Sequence, residues 1–77
     1  MPNLVLYQMD YCPYCIKITN YLRSQNISII EKDTGKDPQA REELIAKTGR
    51  TQVPCLFIGG EPLLESDAIL EWFKKNK

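Results

Sequence analysis

Two cysteines three residues apart, Cys12 and Cys15, follow a short apolar run at residues 4–7. The apolar positions after them recur at the three- and four-residue intervals typical of an amphipathic helix. Pro13 suits the first position of that helix, because its missing N–H would be unpaired there and its φ is already helical. The sequence therefore predicts a strand, a brief loop and a helix that begins immediately after Cys12.

The predicted helix start gives the two cysteines different chemical roles. At the N-cap, Cys12 meets free backbone N–H groups and the positive end of the helix dipole, which favour an anionic sulfur. A thiolate is the form of cysteine that attacks disulfides. Cys15, one turn further on, lies on the same side of the helix and can close a disulfide onto Cys12. We interpret the pair as a catalytic redox couple.

Two other interpretations of the pair remain open at this stage. A structural zinc site needs about four ligands, and this chain has three cysteines and no histidine. Such a site would need carboxylates or a second subunit, and we expect no metal. A purely structural disulfide between residues so close together would stabilise the fold little, because the benefit grows with loop length.

Composition limits the class of protein. A chain of 77 residues is one domain near the lower limit for a self-sufficient core. Its ten basic and ten acidic residues provide no net field to attract nucleic acid or an anionic membrane. No run is long enough to span a membrane, and residues 1–20 lack the layout of a signal peptide. An odd cysteine does not suit a secreted disulfide scaffold, so we expect a cytoplasmic protein. We also expect it to be a monomer.

The pattern along the chain predicts an α/β protein with the order β-α-β-α-β-β-α. Pro62 cannot donate to a ladder, so the last strand is expected at a sheet edge. The first two strands, joined by a helix, are expected to be parallel. The predicted elements are a strand at 1–7, a helix at 13–24, a strand at 27–30, a polar turn at 31–36, a helix from Asp37-Pro38 to Gly49, a strand at 55–58, a turn at Gly59-Gly60, a strand at 61–64 and a helix capped by Ser66 or Asp67. This order with this cysteine placement indicates a thioredoxin-like fold, a four-stranded mixed sheet flanked by three helices.

Several segments together resemble the glutaredoxin family, in particular its dithiol members. They are Cys12-Pro13-Tyr14-Cys15, Arg41-Glu42-Glu43-Leu44, Thr48-Gly49-Arg50-Thr51, Val53-Pro54 and Gly59-Gly60. The resemblance covers essentially the whole chain, so residues 1–77 are expected to form a single glutaredoxin-like domain.

The resemblance implies a glutathione site. It implies a cis peptide bond before Pro54, which would let the backbone of Val53 pair with the cysteinyl part of glutathione as a strand does. The alternative is a proline that only interrupts the chain before a strand. Arg41 matches the position that contacts the glycine carboxylate, and the alternative is a solvated arginine. Ser66 and Asp67 match the pair that holds the γ-glutamyl end, and the alternative is an ordinary helix cap. Tyr14 and Gln52 complete the implied set of glutathione-binding residues.

Two departures from the family pattern affect these expectations. The family commonly has a lysine three residues before the first cysteine, and here that position is Met9. Asp10 beside it is expected to oppose a thiolate. The segment Glu65-Ser66-Asp67-Ala68-Ile69 resembles instead the N-terminal domain of glutathione transferases, which shares the fold and binds the same tripeptide.

The favoured functional hypothesis is a glutathione-dependent thiol–disulfide oxidoreductase that reduces protein disulfides and protein–glutathione mixed disulfides. One alternative is a thioredoxin-like electron donor, for example to ribonucleotide reductase, that does not use glutathione. Another is an iron–sulfur carrier, in which a dimer would hold a cluster through Cys12 of each chain and two glutathiones. Cys55, the odd thiol, is interpreted as buried and inert, with a regulatory thiol as the alternative.

Overall fold

Seven elements follow one another along residues 3–76, the part of the chain that the computed structural model describes. They are β1 (Leu4–Gln8), α1 (Pro13–Ser24), β2 (Ile30–Asp33), α2 (Pro38–Thr48), β3 (Cys55–Ile58), β4 (Glu61–Leu63) and α3 (Ser66–Lys75). Met1 and Pro2, which the sequence placed in the first strand, lie outside the described residues. The order β-α-β-α-β-β-α is confirmed.

The strands form one mixed sheet in the order β2-β1-β3-β4. β1 pairs in parallel with β2 and antiparallel with β3, while β3 and β4 form an antiparallel hairpin. Pro62 lies in β4 at the edge of the sheet, where the lack of an N–H does not cost the sheet a hydrogen bond. The expected parallel pair, hairpin and edge strand are therefore all present.

Helices cover both faces of the sheet, because side chains along a strand alternate between its faces. Leu6 of β1 and Leu56 of β3 pack on one face against α1 and α3, in a cluster with Ile18, Leu22, Ile69, Leu70 and Phe73. Tyr7 and Phe57 pack on the other face against α2, in a cluster with Ala40, Leu44 and Cys55. Continuous apolar strands are what a sheet covered on both faces requires.

Local capping chemistry determines where α2 begins and ends. The Asp37 carboxylate accepts a hydrogen bond from the backbone N–H of Gln39 at 3.0 Å, and Pro38 takes the first helical position. Gly49 ends the helix with a φ of 74°, a left-handed conformation that costs glycine little. Both predicted ends of this helix are confirmed.

The second strand was predicted at the wrong residues. Strand pairing begins at Ile30, which lies opposite Val5, and continues through Glu31 and Lys32 to Asp33. The first half of the predicted polar turn at 31–36 is thus strand, and the turn is confined to residues 34–36. The β-branched run misled the prediction because Ile27 and Ile29 pack against the core cluster without pairing.

The cap of the last helix was also predicted wrongly. Ser66 and Asp67 are the first residues of α3, and the N-cap is Glu65, whose side chain makes no capping hydrogen bond. The inward positions Ile69, Leu70 and Phe73 are as expected. None of the helices within residues 3–76 has the length and apolarity needed to cross a bilayer.

Candidate active site

Cys12 lies at the N-cap of α1 as predicted. Its backbone is extended, with φ −85° and ψ 120°, and Pro13 follows at the first helical position. Its own N–H donates to the carbonyl of Met9 at 3.2 Å, and its carbonyl accepts the N–H of Ile16 at 2.9 Å. The side chain makes no capping bond and is partly exposed. The sulfur at this position is accessible to a disulfide in solution.

Cys15 lies behind Cys12 and is completely buried. The backbone N–H of Met9 donates to its Sγ at 3.5 Å. Burial is the main cause that raises the pKa of the Cys15 thiol to about 12, with a smaller contribution from the neighbouring Cys12 sulfur and an opposing one from the Met9 N–H. The two cysteines are both free thiols in this structure. Cys15 is therefore a protected, protonated thiol beside an accessible one.

The carboxylate of Asp10, two residues before Cys12, is paired with a lysine. Lys36 Nζ contacts Asp10 Oδ2, and this hydrogen bond, followed by one from Gln8, holds the pKa of Asp10 below its usual value. The Asp10 N–H donates to Asp33 Oδ2 at 3.3 Å, which joins the cysteine loop, residues 9–12 between β1 and α1, to the end of β2. The expected opposition of Asp10 to a thiolate is thus offset by the charge of Lys36.

A cleft of about 290 Å³ lies beside the cysteine loop. Its lining includes Tyr14 from α1, the segment 52–54 before β3, and the residues from Leu64 to Asp67 that lead into α3. The peptide bond between Val53 and Pro54 is cis, as expected. Gln52 Nε2 donates to the carbonyl of Leu64 at 3.4 Å and connects two walls of the cleft.

Six of the seven predicted glutathione-binding residues line this cleft: Tyr14, Gln52, Val53, Pro54, Ser66 and Asp67. Arg41 is exposed on α2 and is not part of the lining, so its role stays a prediction from the family resemblance. The start of α3, with no side-chain cap, faces the cleft through Glu65 and Ser66. Backbone N–H groups at such a position bind anions.

Cys55 directly follows Pro54 but is not part of the cleft lining. It is fully buried in β3 within the cluster that packs against α2, while Cys15 packs on the α1 side of the sheet. Burial raises the pKa of its thiol to about 11. Within residues 3–76, no three cysteine or carboxylate side chains are grouped so that they could hold a metal ion.

Two lysines near the site were not singled out from the sequence. Lys17 Nζ pairs with Asp67 Oδ1 at 3.1 Å, and Lys36 pairs with Asp10. The partners are 50 and 26 residues apart along the chain, so no local spacing pattern relates them. Only the packing of α1 against α3, and of the cysteine loop against the turn after β2, brings them together.

Comparison with known proteins agrees with this geometry. The family model described as Glutaredoxin matches residues 4–63. A glutaredoxin of Pseudomonas aeruginosa is 37% identical over 59 residues, covering 77% of this chain and 70% of the relative. The crystal structure of the holo form of glutaredoxin C1 from Populus tremula x tremuloides has a TM-score of 0.71 at 27% identity, covering 97% of this chain and 77% of that chain.

A further solved structure has the same fold. A buckwheat glutaredoxin, solved as a complex with glutathione, gives a TM-score of 0.73 at 23% identity, covering 99% of this chain and 72% of that chain. At this identity the likeness concerns the fold alone. The family match, the Pseudomonas relative and the accessible cysteine at the start of α1 together lead to one conclusion: the chain belongs to the glutaredoxin family of thiol–disulfide oxidoreductases.

Proposed function

We propose that this protein uses glutathione to reduce protein–glutathione mixed disulfides and protein disulfides. The observation that carries the proposal is the contrast between the two cysteines. Cys12 is partly exposed at a helix N-terminus, and Cys15 is buried with a pKa of about 12. Only the accessible sulfur suits the attack on an external disulfide. The adjoining cleft, which begins two residues away at Tyr14, offers room for the tripeptide.

The proposed reaction on a glutathionylated protein has two steps. The Cys12 thiolate attacks the glutathione sulfur, so a Cys12–glutathione disulfide forms and the protein sulfur leaves as a thiolate that takes up a proton. A second glutathione thiolate then attacks the bound glutathione sulfur. This attack releases oxidised glutathione and restores the Cys12 thiolate. In total one free glutathione thiol is consumed: its sulfur and the glutathione sulfur of the substrate become oxidised glutathione, and the protein sulfur is released as a thiol.

Reduction of a protein disulfide uses Cys15 as well. Cys12 attacks one substrate sulfur, which releases the first substrate thiol and forms a mixed disulfide, and Cys15 then attacks the Cys12 sulfur and releases the second. The Cys12–Cys15 disulfide that remains is reduced by two glutathione thiols, which leave as oxidised glutathione. Cys15 must lose its proton for this attack, which its raised pKa opposes. Protonation of Cys15 therefore favours the glutathione route, because the Cys12–glutathione disulfide lasts long enough to meet a second glutathione.

The cleft suggests an orientation for glutathione. The backbone of Val53 next to the cis bond would pair with the cysteinyl residue as an added strand does. The free N–H groups at the start of α3 would receive the γ-glutamyl carboxylate. Asp67 would receive the ammonium in a charge-assisted hydrogen bond. A buckwheat glutaredoxin with this fold was solved with glutathione, which supports the choice of ligand.

The test compares two cysteine variants in the turnover of a glutathionylated protein by glutathione. Cys12→Ser is expected to reduce the rate to the uncatalysed background, because the attacking sulfur is gone. Cys15→Ser is expected to retain most of the activity on this substrate and to lose activity on a protein disulfide. Activity of Cys12→Ser equal to that of the wild type would contradict the proposal.

One observation favours a second candidate, a thioredoxin-like electron donor that does not use glutathione. The position three residues before the first cysteine holds Met9, whose side chain packs against Gly35 and carries no charge for a glutathione carboxylate. Reduction of the Cys12–Cys15 disulfide by thioredoxin reductase and not by glutathione would favour this candidate. Reduction by glutathione in the absence of any reductase would favour the first.

A further inference from the structure

The ion pair between Lys17 and Asp67 lies at the rim of the proposed glutathione cleft. Lys17 comes from α1, five residues after Cys12, and its Nζ lies 3.1 Å from Asp67 Oδ1 in the first turn of α3. Asp67 lines the cleft on one side and a neighbouring pocket on the other, and Lys17 lines only that pocket. The pair thus places a positive charge beside the negative charge of Asp67, where the cleft borders the neighbouring pocket.

We propose that Lys17 is a specificity-determining residue, which makes this end of the cleft selective for a zwitterionic α-amino acid group. The inference rests on the proposed function, in which the γ-glutamyl end of glutathione binds at the start of α3. That end carries an ammonium and a carboxylate on one carbon, so its two charges are as close together as those of the ion pair. Asp67 receives the ammonium, and Lys17 adds a cation for the carboxylate.

The electrostatics of the pair explain why both charges of the ligand are needed. Lys17 lowers the attraction of Asp67 for a bare cation, because it already offsets the charge of that carboxylate. Asp67 in the same way lowers the attraction of Lys17 for a bare anion. A zwitterion satisfies both side chains without leaving a net charge in the complex. Their side chains are 56% and 86% exposed, so the pair is weak and rearranges easily around a ligand.

Two glutathione analogues separate the contributions. In glutaryl-cysteinyl-glycine the γ-glutamyl ammonium is missing, and in 4-aminobutanoyl-cysteinyl-glycine the γ-glutamyl carboxylate is missing. A mixed disulfide of each with one substrate protein is compared with the glutathione mixed disulfide. KM and kcat are measured for the wild type, for Lys17→Met and for Lys17→Arg. Lys74→Met is the control, since Lys74 lines the same pocket and contacts the Tyr21 ring.

Lys17→Met is expected to raise KM about two- to five-fold for the glutathione and glutaryl substrates, the range that corresponds to an exposed charge contact. It is expected to lower KM for the aminobutanoyl substrate, because Lys17 no longer offsets the charge of the Asp67 carboxylate, which then attracts the substrate ammonium more strongly. The kcat values should be unchanged, since the proposed contact is with the γ-glutamyl end of the substrate and not with the reacting sulfurs. Lys17→Arg should behave as the wild type, and Lys74→Met should leave all three KM values unchanged.

Three results would overturn the inference. They are no change in KM for Lys17→Met, a change equal to that of Lys74→Met, or a change in the same direction for both analogues. Any of these, with the wild type active on the glutathione substrate, would leave the proposed function intact and remove the role of Lys17. A wild type inactive on the glutathione mixed disulfide would overturn the proposed function itself and the inference with it.

Discussion

The three cysteines show that residue type alone does not determine how reactive a thiol is. Cys12 is partly exposed at a helix start, whereas Cys15 and Cys55 are fully buried on opposite faces of the sheet. Desolvation raises the pKa of the Cys15 thiol to about 12 and that of Cys55 to about 11. We therefore expect the order of reactivity to follow from position, since all three thiols have the same intrinsic chemistry.

The buried thiols predict a loss of stability in alkali. In the unfolded chain both would titrate near the ordinary cysteine value of 9.0, but in the folded protein they keep their protons to about pH 12 and 11. Above pH 9 the unfolded state binds fewer protons, so the free energy of unfolding falls as pH rises. The stabilisation is complete below pH 9 and disappears through the folded values.

Urea unfolding of the reduced protein between pH 7 and pH 11 measures this effect. Cys55→Val keeps the volume and apolar character of the site nearly unchanged, so it should reduce the alkaline slope while changing stability at pH 7 little. Wild type and Cys55→Val share all other titrating groups. An identical alkaline slope in the two proteins would show that Cys55 does not retain its proton on folding.

At the scale of elements, sequence predicted best the helices and strands whose ends depend on local chemistry. Pro13, Asp37 and Gly49 set helix ends through φ restriction, capping and left-handed backbone, all of which are local properties. The second strand depends instead on which residues lie beside β1. Its polar residues Glu31 and Lys32 are tolerated because β2 is an edge strand, and this position in the sheet is not visible in a local pattern.

One polar network connects β2, β1 and α2. Glu43 Oε1 accepts hydrogen bonds from Lys32 Nζ at 2.7 Å and from the hydroxyl of Tyr7 at 3.1 Å. The Lys32 hydrogen bond, followed by that of Tyr7, holds the pKa of Glu43 below its ordinary value. A carboxyl with a lowered pKa stabilises the fold above its unfolded pKa, and this contribution is lost as pH falls through the folded value.

The network predicts a pH-dependent effect of Glu43→Gln. This variant should lower the free energy of unfolding at pH 7, where the carboxylate is charged, and change it progressively less as the pH falls through the lowered pKa of Glu43 in the wild type. Glu42→Gln, an exposed neighbour on the same helix, is the control and should change little across the same pH range. Equal destabilisation by Glu43→Gln throughout that range would contradict a charge-based role.

At the scale of the whole molecule, the site is assembled from three parts of the chain that meet at one edge of the fold. The start of α1 supplies the cysteines, the loop before β3 supplies Val53 and Pro54, and the start of α3 supplies Ser66 and Asp67. The family resemblance, which rests on residue identities, predicted that these three parts of the chain form the site. Which charges meet there could not be predicted, because Lys17 reaches Asp67 only through the packing of α1 on α3.

The central claim is that the Cys12 sulfur attacks a glutathione disulfide and that the buried Cys15 thiol does not make this attack. The most direct measurement is peptide mass mapping of the folded Cys15→Ser variant after reaction with oxidised glutathione. The account predicts one glutathione per molecule, on the peptide that contains Cys12, with Cys55 unmodified. Glutathione found on Cys55 in place of Cys12, or on neither cysteine, would contradict the account.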